Sequence, residues 1–352
     1  MKLRSLSLHG VKGFRKLTIE LVDPVNNKVR PRTVIVGKNG SGKTTILDHI
    51  FGVIDILSKG EEAILRWNTN AFHVAGIEMA LEYPELKEQT PFMIHTGNWY
   101  GINQQTIRSD DIYMGEDFSY LDRPRSGKLL VRTERAERLV KEIKYASAGV
   151  DSNPDLGNLL YFPTDRLTTF KFSGEIQNEA PQFHWTYRYN RYHNEWKGSV
   201  ESFLVWLYFR DLKARETNPD ATSRFHEFAQ LVNRFLEDKT ITTVGYDYRV
   251  EVVHTISGQK LHLDALSSGE NQLILLLGEI YRYIRKGSIL LIDEPEIHLH
   301  PVWQRLFMET LTALCKKYDA QFIVTTQSPR IAESVVGYEV INLDNLLEES
   351  RS

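Results

Sequence analysis

The segment that most restricts what this chain can fold into runs from Thr33 to Leu57. Thr33-Val-Ile-Val36 is a short β-branched run, Gly37-Lys-Asn-Gly-Ser-Gly-Lys-Thr44 follows it, and from Lys43 onward Ile46, Leu47 and Ile50 recur at helical spacing. That order predicts strand, glycine loop, helix, and the octapeptide fits G-x-x-x-x-G-K-[ST] in the context the pattern requires. Glycines let successive backbone N–H groups turn toward an anion, and a helix N-terminus adds partial positive charge. Lys43 can reach the β- and γ-phosphates of a nucleotide and Thr44 can hold Mg²⁺. The expected phosphate contacts are Gly37, Lys38, Asn39, Gly40, Ser41, Gly42, Lys43, Thr44 and Thr45.

A phosphate loop that performs chemistry needs acids beside it. Ser288-Ile-Leu-Leu-Ile-Asp293-Glu294 supplies them, as an apolar strand ending in two carboxylates. Phosphoryl transfer needs positioning and charge neutralisation more than covalent help, so Asp293 is expected to position Mg²⁺, usually through water, and Glu294 to polarise the attacking water. Loop and acids together indicate an NTPase with Lys43 and Glu294 as catalytic groups.

The rest of the chain alternates strands and helices. Leu6 and Leu8, then Leu17, Ile19 and Leu21, have the period-two spacing of half-buried strands, with residues 10–14 as the turn, which predicts an antiparallel opening. Strands are expected over 77–83, 159–162, 248–255, 288–292 and 321–325, and helices over 132–144, 200–215, 223–236 and 302–316. Alternation of this kind argues for a mostly parallel sheet covered by helices on both faces. The expected organisation is an N-terminal core part over 1–85, an insertion over 86–150 without clear periodicity, a helical lobe over 151–240 and a C-terminal core part over 241–352.

Leu266-Ser-Ser-Gly-Glu-Asn-Gln272 opens an apolar helical run about one helix before the acids. Locally it is a serine-capped helix start, because a serine oxygen can accept the unpaired N–H groups of a first turn. In this position it resembles the signature of ATP-binding-cassette ATPases. Pro295-Glu-Ile-His-Leu-His-Pro301 stands where that family has its D-loop, and Thr325-Thr-Gln-Ser-Pro329 where it has its switch loop. The chain most resembles the single-chain branch that includes SMC-, RecF- and OLD-like ATPases. The resemblance covers about residues 1–85, 155–170 and 241–345 and implies an α/β P-loop ATPase core with an N-terminal antiparallel subdomain and an inserted, largely helical lobe. It also implies ATP and Mg²⁺ as ligands, and a homodimer closed around ATP in which Ser267, Ser268, Gly269 and Glu270 of one copy meet the nucleotide of the other. Phe14 and Arg15 resemble the aromatic-Arg pair that this branch keeps near the nucleotide.

Two positions depart from that pattern. Pro163-Thr-Asp-Arg166 takes the place of the Q-loop without a glutamine, leaving Asp165 or Arg166 as the replacement, Asp165 toward the metal. The switch position carries Gln327 where histidine is usual; a glutamine can orient water but cannot carry a proton or a positive charge. Slow or partner-dependent hydrolysis is the expectation, and an ATP-sensing scaffold with little turnover is the alternative. His298 and His300 fit a dimer-contact loop better than a metal site, since no Cys or Asp cluster accompanies them.

Composition narrows the partners. The chain has 43 Lys and Arg against 46 Asp and Glu, a net charge of -3, so any DNA or RNA surface must be local. One candidate is the basic stretch 123–144, which also reads as a solvated helix with i,i+4 ion pairs; another is the aromatic stretch Phe183 to Trp196, whose alternation suits a packed sheet better than base stacking. A single cysteine, Cys315, excludes an internal disulfide and fits a reducing compartment. No apolar stretch approaches the ~20 residues of a membrane helix, so a cytoplasmic protein and no membrane partner are expected. With no nuclease region after the last strand, an effector such as a nuclease or toxin would be a separate polypeptide. The role expected is control of a nucleic-acid transaction or effector, in phage defence or in RecF-like repair; a transporter cassette fits less well because of the insertions.

Overall fold

The structure, a computed structural model, describes residues 1–11, 14–60, 76–82, 91–98, 111–117, 126–131, 133–148, 157–165, 183–189, 199–297 and 299–349. Its centre is a six-stranded parallel sheet. In spatial order the strands are β15 (Val340–Asn342), β3 (Arg32–Val36), β14 (Gln321–Thr326), β13 (Ile289–Asp293), β8 (Leu159–Phe162) and β9 (Thr186–Arg188). β13 and β14 are apolar without alternation because both faces are covered. Successive residues of β13 enter different cores: Ile289 and Leu291 pack with α1 (Lys43–Lys59), while Leu290 and Ile292 pack with α5 (Ser268–Tyr283) and α6 (Pro301–Lys317).

The α1 face is closed by a second six-stranded sheet. β1 (Lys2–Val11) pairs antiparallel with β2 (Phe14–Glu20), as the opening pattern predicts, and on its other side with β4 (Gly76–Glu82), also antiparallel. β5 (Phe92–Asn98), β6 (Ile112–Asp117) and β7 (Ser126–Leu130) then extend the same sheet, with a parallel pairing between β5 and β6. Their alternation is short: Phe92, Ile94 and Thr96 are buried in β5, too brief a run to stand out among polar neighbours. α2 (Glu134–Ser147) packs on α1 through Leu139, Val140 and Ile143, while Glu137, Arg138 and Lys141 face solvent. The described part of the basic stretch is thus an amphipathic helix docked on the core; residues 123–125 and Arg132 lie outside the described residues. The two large sheets are stitched by Gln321, wholly buried, whose Oε1 accepts the Leu3 N–H at 2.7 Å and whose Nε2 donates to the Leu3 carbonyl at 2.9 Å.

The opposite face carries α3 (Val200–Thr217), α4 (Arg224–Asn233) and a small sheet of β10 (Lys239–Val244), β11 (Val250–His254) and β12 (Lys260–His262). The expected strand at 248 begins two residues later, because Tyr248 has φ +60° and belongs to the β10–β11 turn. Trp185, Tyr187 and Tyr189 are buried, so the described part of the aromatic stretch is core, while residues 190–198 lie outside the described residues. Among the described residues no helix is long and apolar enough to cross a membrane. Cys315 is buried in α6, and burial pushes its thiol up to about 12. It is therefore expected to resist iodoacetamide at pH 8 in the native protein and to react fully in guanidinium, as mass spectrometry would read; rapid native labelling would contradict that packing.

Candidate active site

β3 delivers Gly37 to the edge of the sheet, and the loop turns there because two residues take conformations that L side chains avoid. Gly40 has φ +78° and Gly42 φ +96°, and a Cβ on Gly42 would lie 2.3 Å from the Phe14 ring. Phe14 is 4% exposed and serves as the floor of the loop, whereas Arg15 beside it is exposed. Gly42 caps α1 without any side-chain oxygen, which leaves first-turn N–H groups for another acceptor. Ser41 Oγ is buried and has no hydrogen-bond partner among the described residues. An uncapped helix start beside an orphaned hydroxyl is what a phosphate would satisfy. Asn39 and Thr45 complete the expected set, Asn39 exposed at the tip and Thr45 in the first turn of α1.

Lys43 is folded into the loop. Its ammonium donates to the carbonyls of Gly37 at 2.9 Å and Lys38 at 3.1 Å, and stands 3.6 Å from Glu294 Oε1. The Lys38 N–H is taken by Asp344, at 3.1 Å, from α7 (Leu343–Glu349), whose Leu343 is fully buried.

Because β13 lies beside β14 in parallel register, Asp293 is brought opposite Thr325. Asp293 is fully buried and accepts three hydroxyls: Thr44 Oγ1 at 2.7 Å and Thr164 Oγ1 at 2.9 Å on Oδ2, and Thr325 on Oδ1. The expected pair Thr44 and Asp293 is therefore assembled, and the group that joins it from the Q-loop position is Thr164. Asp165, beside Thr164 in the turn that follows β8, is exposed, so it is the hydroxyl and not the neighbouring carboxylate that meets Asp293. Arg166 and His298 lie outside the described residues. Nothing in the sequence distinguishes the Thr164 hydroxyl from that of any other loop threonine, whereas the charge of Asp165 suggests a metal ligand.

Glu294 has φ +45°, a costly conformation for a residue with a Cβ, and its N–H donates to the Thr325 carbonyl at 3.0 Å. Gln327 Nε2 donates to Glu294 Oε1 at 2.6 Å. The two catalytic groups expected at 294 and 327 are thus in contact, with Lys43 beyond them.

The signature segment lies elsewhere. Ser267 caps α5 in a full capping box: Glu270 N–H donates to Ser267 Oγ at 3.4 Å, and Ser267 N–H donates to Glu270 Oε2 at 2.7 Å. Glu270 Oε1 also accepts from Lys239 at 3.0 Å, so its carboxylate is turned inward and occupied, while Ser267 and Ser268 remain exposed with Gly269 half-buried. Deeper in α5, burial pushes the Glu279 carboxyl up, against the opposing effects of Arg282 at 2.9 Å and the Tyr187 hydroxyl at 2.9 Å. α1 and α5 pack on opposite faces of the central sheet. His300 is spent as the N-cap of α6, its Nδ1 accepting the Val302 N–H at 3.4 Å, and no group of three His, Cys, Asp or Glu among the described residues could hold a metal ion.

Residues 151–333 match the family described as "AAA domain, putative AbiEii toxin, Type IV TA system". The chain belongs to this AAA-domain family. Residues 5–90 match a second family, described as an AAA domain. The AAA-domain protein is 23% identical to the retron Vc95 probable ATPase of Vibrio cholerae serotype O1 biovar El Tor, over 98% of this chain and 74% of the relative. It is 22% identical to the retron Ec83 probable ATPase of Escherichia coli, over 98% of this chain and 72% of the relative. Septu protein PtuA of Bacillus thuringiensis is 32% identical over 40% of this chain and 39% of its own length. Among solved structures, an SmcHead bound to the C-winged helix domain of ScpA superposes with TM-score 0.49 at 14% identity, covering 95% of this chain and 93% of the other. The matched segments 5–90 and 151–333 of the AAA-domain protein hold the loop, Thr164, the capped start of α5, both acids and Gln327.

Proposed function

We propose that the chain binds and hydrolyses ATP with Mg²⁺, and that two copies close around two ATP molecules to control a separate effector in antiviral defence. The convergence on Asp293 of hydroxyls from Thr44 and Thr164, beside Lys43 and Glu294, carries this reading. Thr44, Thr164 and Asp293 would hold Mg²⁺, which neutralises charge shared by the β- and γ-phosphates. Lys43 leaves the loop carbonyls for the phosphates, Glu294 accepts hydrogen from the attacking water, and Gln327 orients the Glu294 carboxylate. Lys43→Ala is expected to lose both ATP binding, read by calorimetry, and phosphate release; retention of both would remove the site from the protein.

Support for closure in trans comes from the packing of α1 and α5 on opposite faces of the central sheet and from the exposed start of α5. The N–H groups of Ser268 and Gly269 are the free donors of that turn, with Glu270 committed to the capping box. Ser267→Arg should spare ATP binding by a single copy and abolish ATP-dependent dimers, as light scattering would show. Dimers that persist in this variant would overturn the trans arrangement.

A second reading, a low-turnover ATP sensor that restrains a nuclease or toxin partner, draws on Gln327. Its carboxamide engages Glu294 but supplies neither proton nor positive charge. ATP-dependent dimerisation without phosphate release would select the sensor; brisk release would select the ATPase. The retron and Septu relatives favour a defence role over RecF-like repair, and a co-purifying nuclease or toxin, as against a replication or repair protein, would decide between them.

A further inference from the structure

Hydrogen bonds join the turn after β13 to the end of β14 and to Gln327, which follows it. Glu294 N–H donates to the Thr325 carbonyl at 3.0 Å and Gln327 Nε2 to Glu294 Oε1 at 2.6 Å. Two more converge on a single atom: Glu296 Oε1 accepts from Thr326 Oγ1 at 2.6 Å and from the Gln327 N–H at 2.8 Å. Glu296 Oε2 is buried and has no hydrogen-bond partner among the described residues, so the carboxylate spends its acceptor capacity on the switch segment. Nothing else described here holds the Gln327 backbone in this way, and the Gln327 side chain is exposed. An exposed glutamine on an untethered loop would spread over several rotamers. Charge-assisted bonds to the adjacent hydroxyl and N–H remove that freedom at its root.

We infer that Glu296 is a positioning residue for ATP turnover: it fixes the backbone of Gln327 so that the Gln327 carboxamide holds the Glu294 carboxylate in place. Glu296 lies two residues beyond Glu294 in the turn Pro295–Ile297, so a displacement of that turn moves the base and its tether together. The inference rests on the hydrolytic reading above. It concerns Glu296 acting through Gln327, not contact of Glu296 with nucleotide.

The test is a double-mutant cycle on the full chain, with single-turnover phosphate release and ATP affinity measured for each protein. Glu296→Ala is expected to lower the rate about tenfold to a hundredfold with ATP affinity unchanged within about twofold. Glu296→Gln keeps one acceptor oxygen and is expected to restore most of the rate. In a Gln327→Ala background, Glu296→Ala should add no further loss, because the two act as one unit. Thermal melting of each variant separates misfolding from mispositioning. A wild-type rate in Glu296→Ala, or equal losses from it in both backgrounds, overturns the inference. Absence of phosphate release from the wild-type chain overturns the hydrolytic reading and the inference with it.

Discussion

Glu294→Gln is expected to lower the single-turnover rate of phosphate release by about 10²–10⁴, the usual contribution of a positioned general base. The substitution keeps the shape of the side chain and the carbonyl oxygen that Gln327 grips at 2.6 Å, so the turn after β13 should survive. It removes the negative charge that stands 3.6 Å from Lys43. ATP should therefore bind at least as well, and ATP-dependent dimers should accumulate because closure is no longer followed by hydrolysis. Size-exclusion chromatography with ATP and a phosphate-release assay on the same samples give both halves of the result. A rate within about threefold of wild type would show that another group activates the water.

Gly42→Ala should be as severe for a different reason. At φ +96° a Cβ is strained wherever it points, at a cost of about 1–3 kcal/mol, and here it also meets the Phe14 ring at 2.3 Å. The loop would have to shift by more than an ångström, which turns its N–H groups away from the phosphates. Losing two charge-assisted bonds of about 1.5–3 kcal/mol each corresponds to a hundredfold or greater fall in ATP affinity. Trimming the ring with Phe14→Leu in the same chain should recover part of the melting temperature without restoring affinity, since the backbone conformation still demands glycine. Full affinity in Gly42→Ala alone would mean that the loop does not bind phosphate in this conformation.

These two effects differ in how much of their cause was visible before folding. The octapeptide from Gly37 to Thr44 and the acids Asp293 and Glu294 are legible because each is local: strand, turn and helix follow one another within a few residues, and periodicity marks the flanks. The serine-capped helix start at Ser267 is legible for the same reason, and the structure adds Glu270 to it as a full capping box. Phe14 was expected near the nucleotide, and its ring lies under Gly42 of the glycine loop, a contact between β2 and the loop that spacing cannot reveal. The three strands over 92–130 were obscure because each is short, at five to seven residues.

Thr164, Glu296 and Asp344 were not legible at all as members of the site. Each acts across a long stretch of chain: Thr164 on Asp293, Glu296 on Thr326 and Gln327, and Asp344 on the N–H of Lys38. Their residue types are ordinary for loops, and nothing in their spacing sets them apart.

By itself, the amino-acid sequence determined where a glycine loop opens a helix, where a serine caps one, and which strand ends in acids, since backbone conformation there follows from glycine, capping and alternation over a few residues. Only the tertiary structure decided which hydroxyl reaches Asp293 and which carboxylate holds Gln327, because the parallel order of β3, β14, β13 and β8 sets residues 44, 164, 293 and 325 side by side. It also put α1 and α5 on opposite faces of that sheet, a separation that packing of the two cores imposes and that no stretch of the sequence contains.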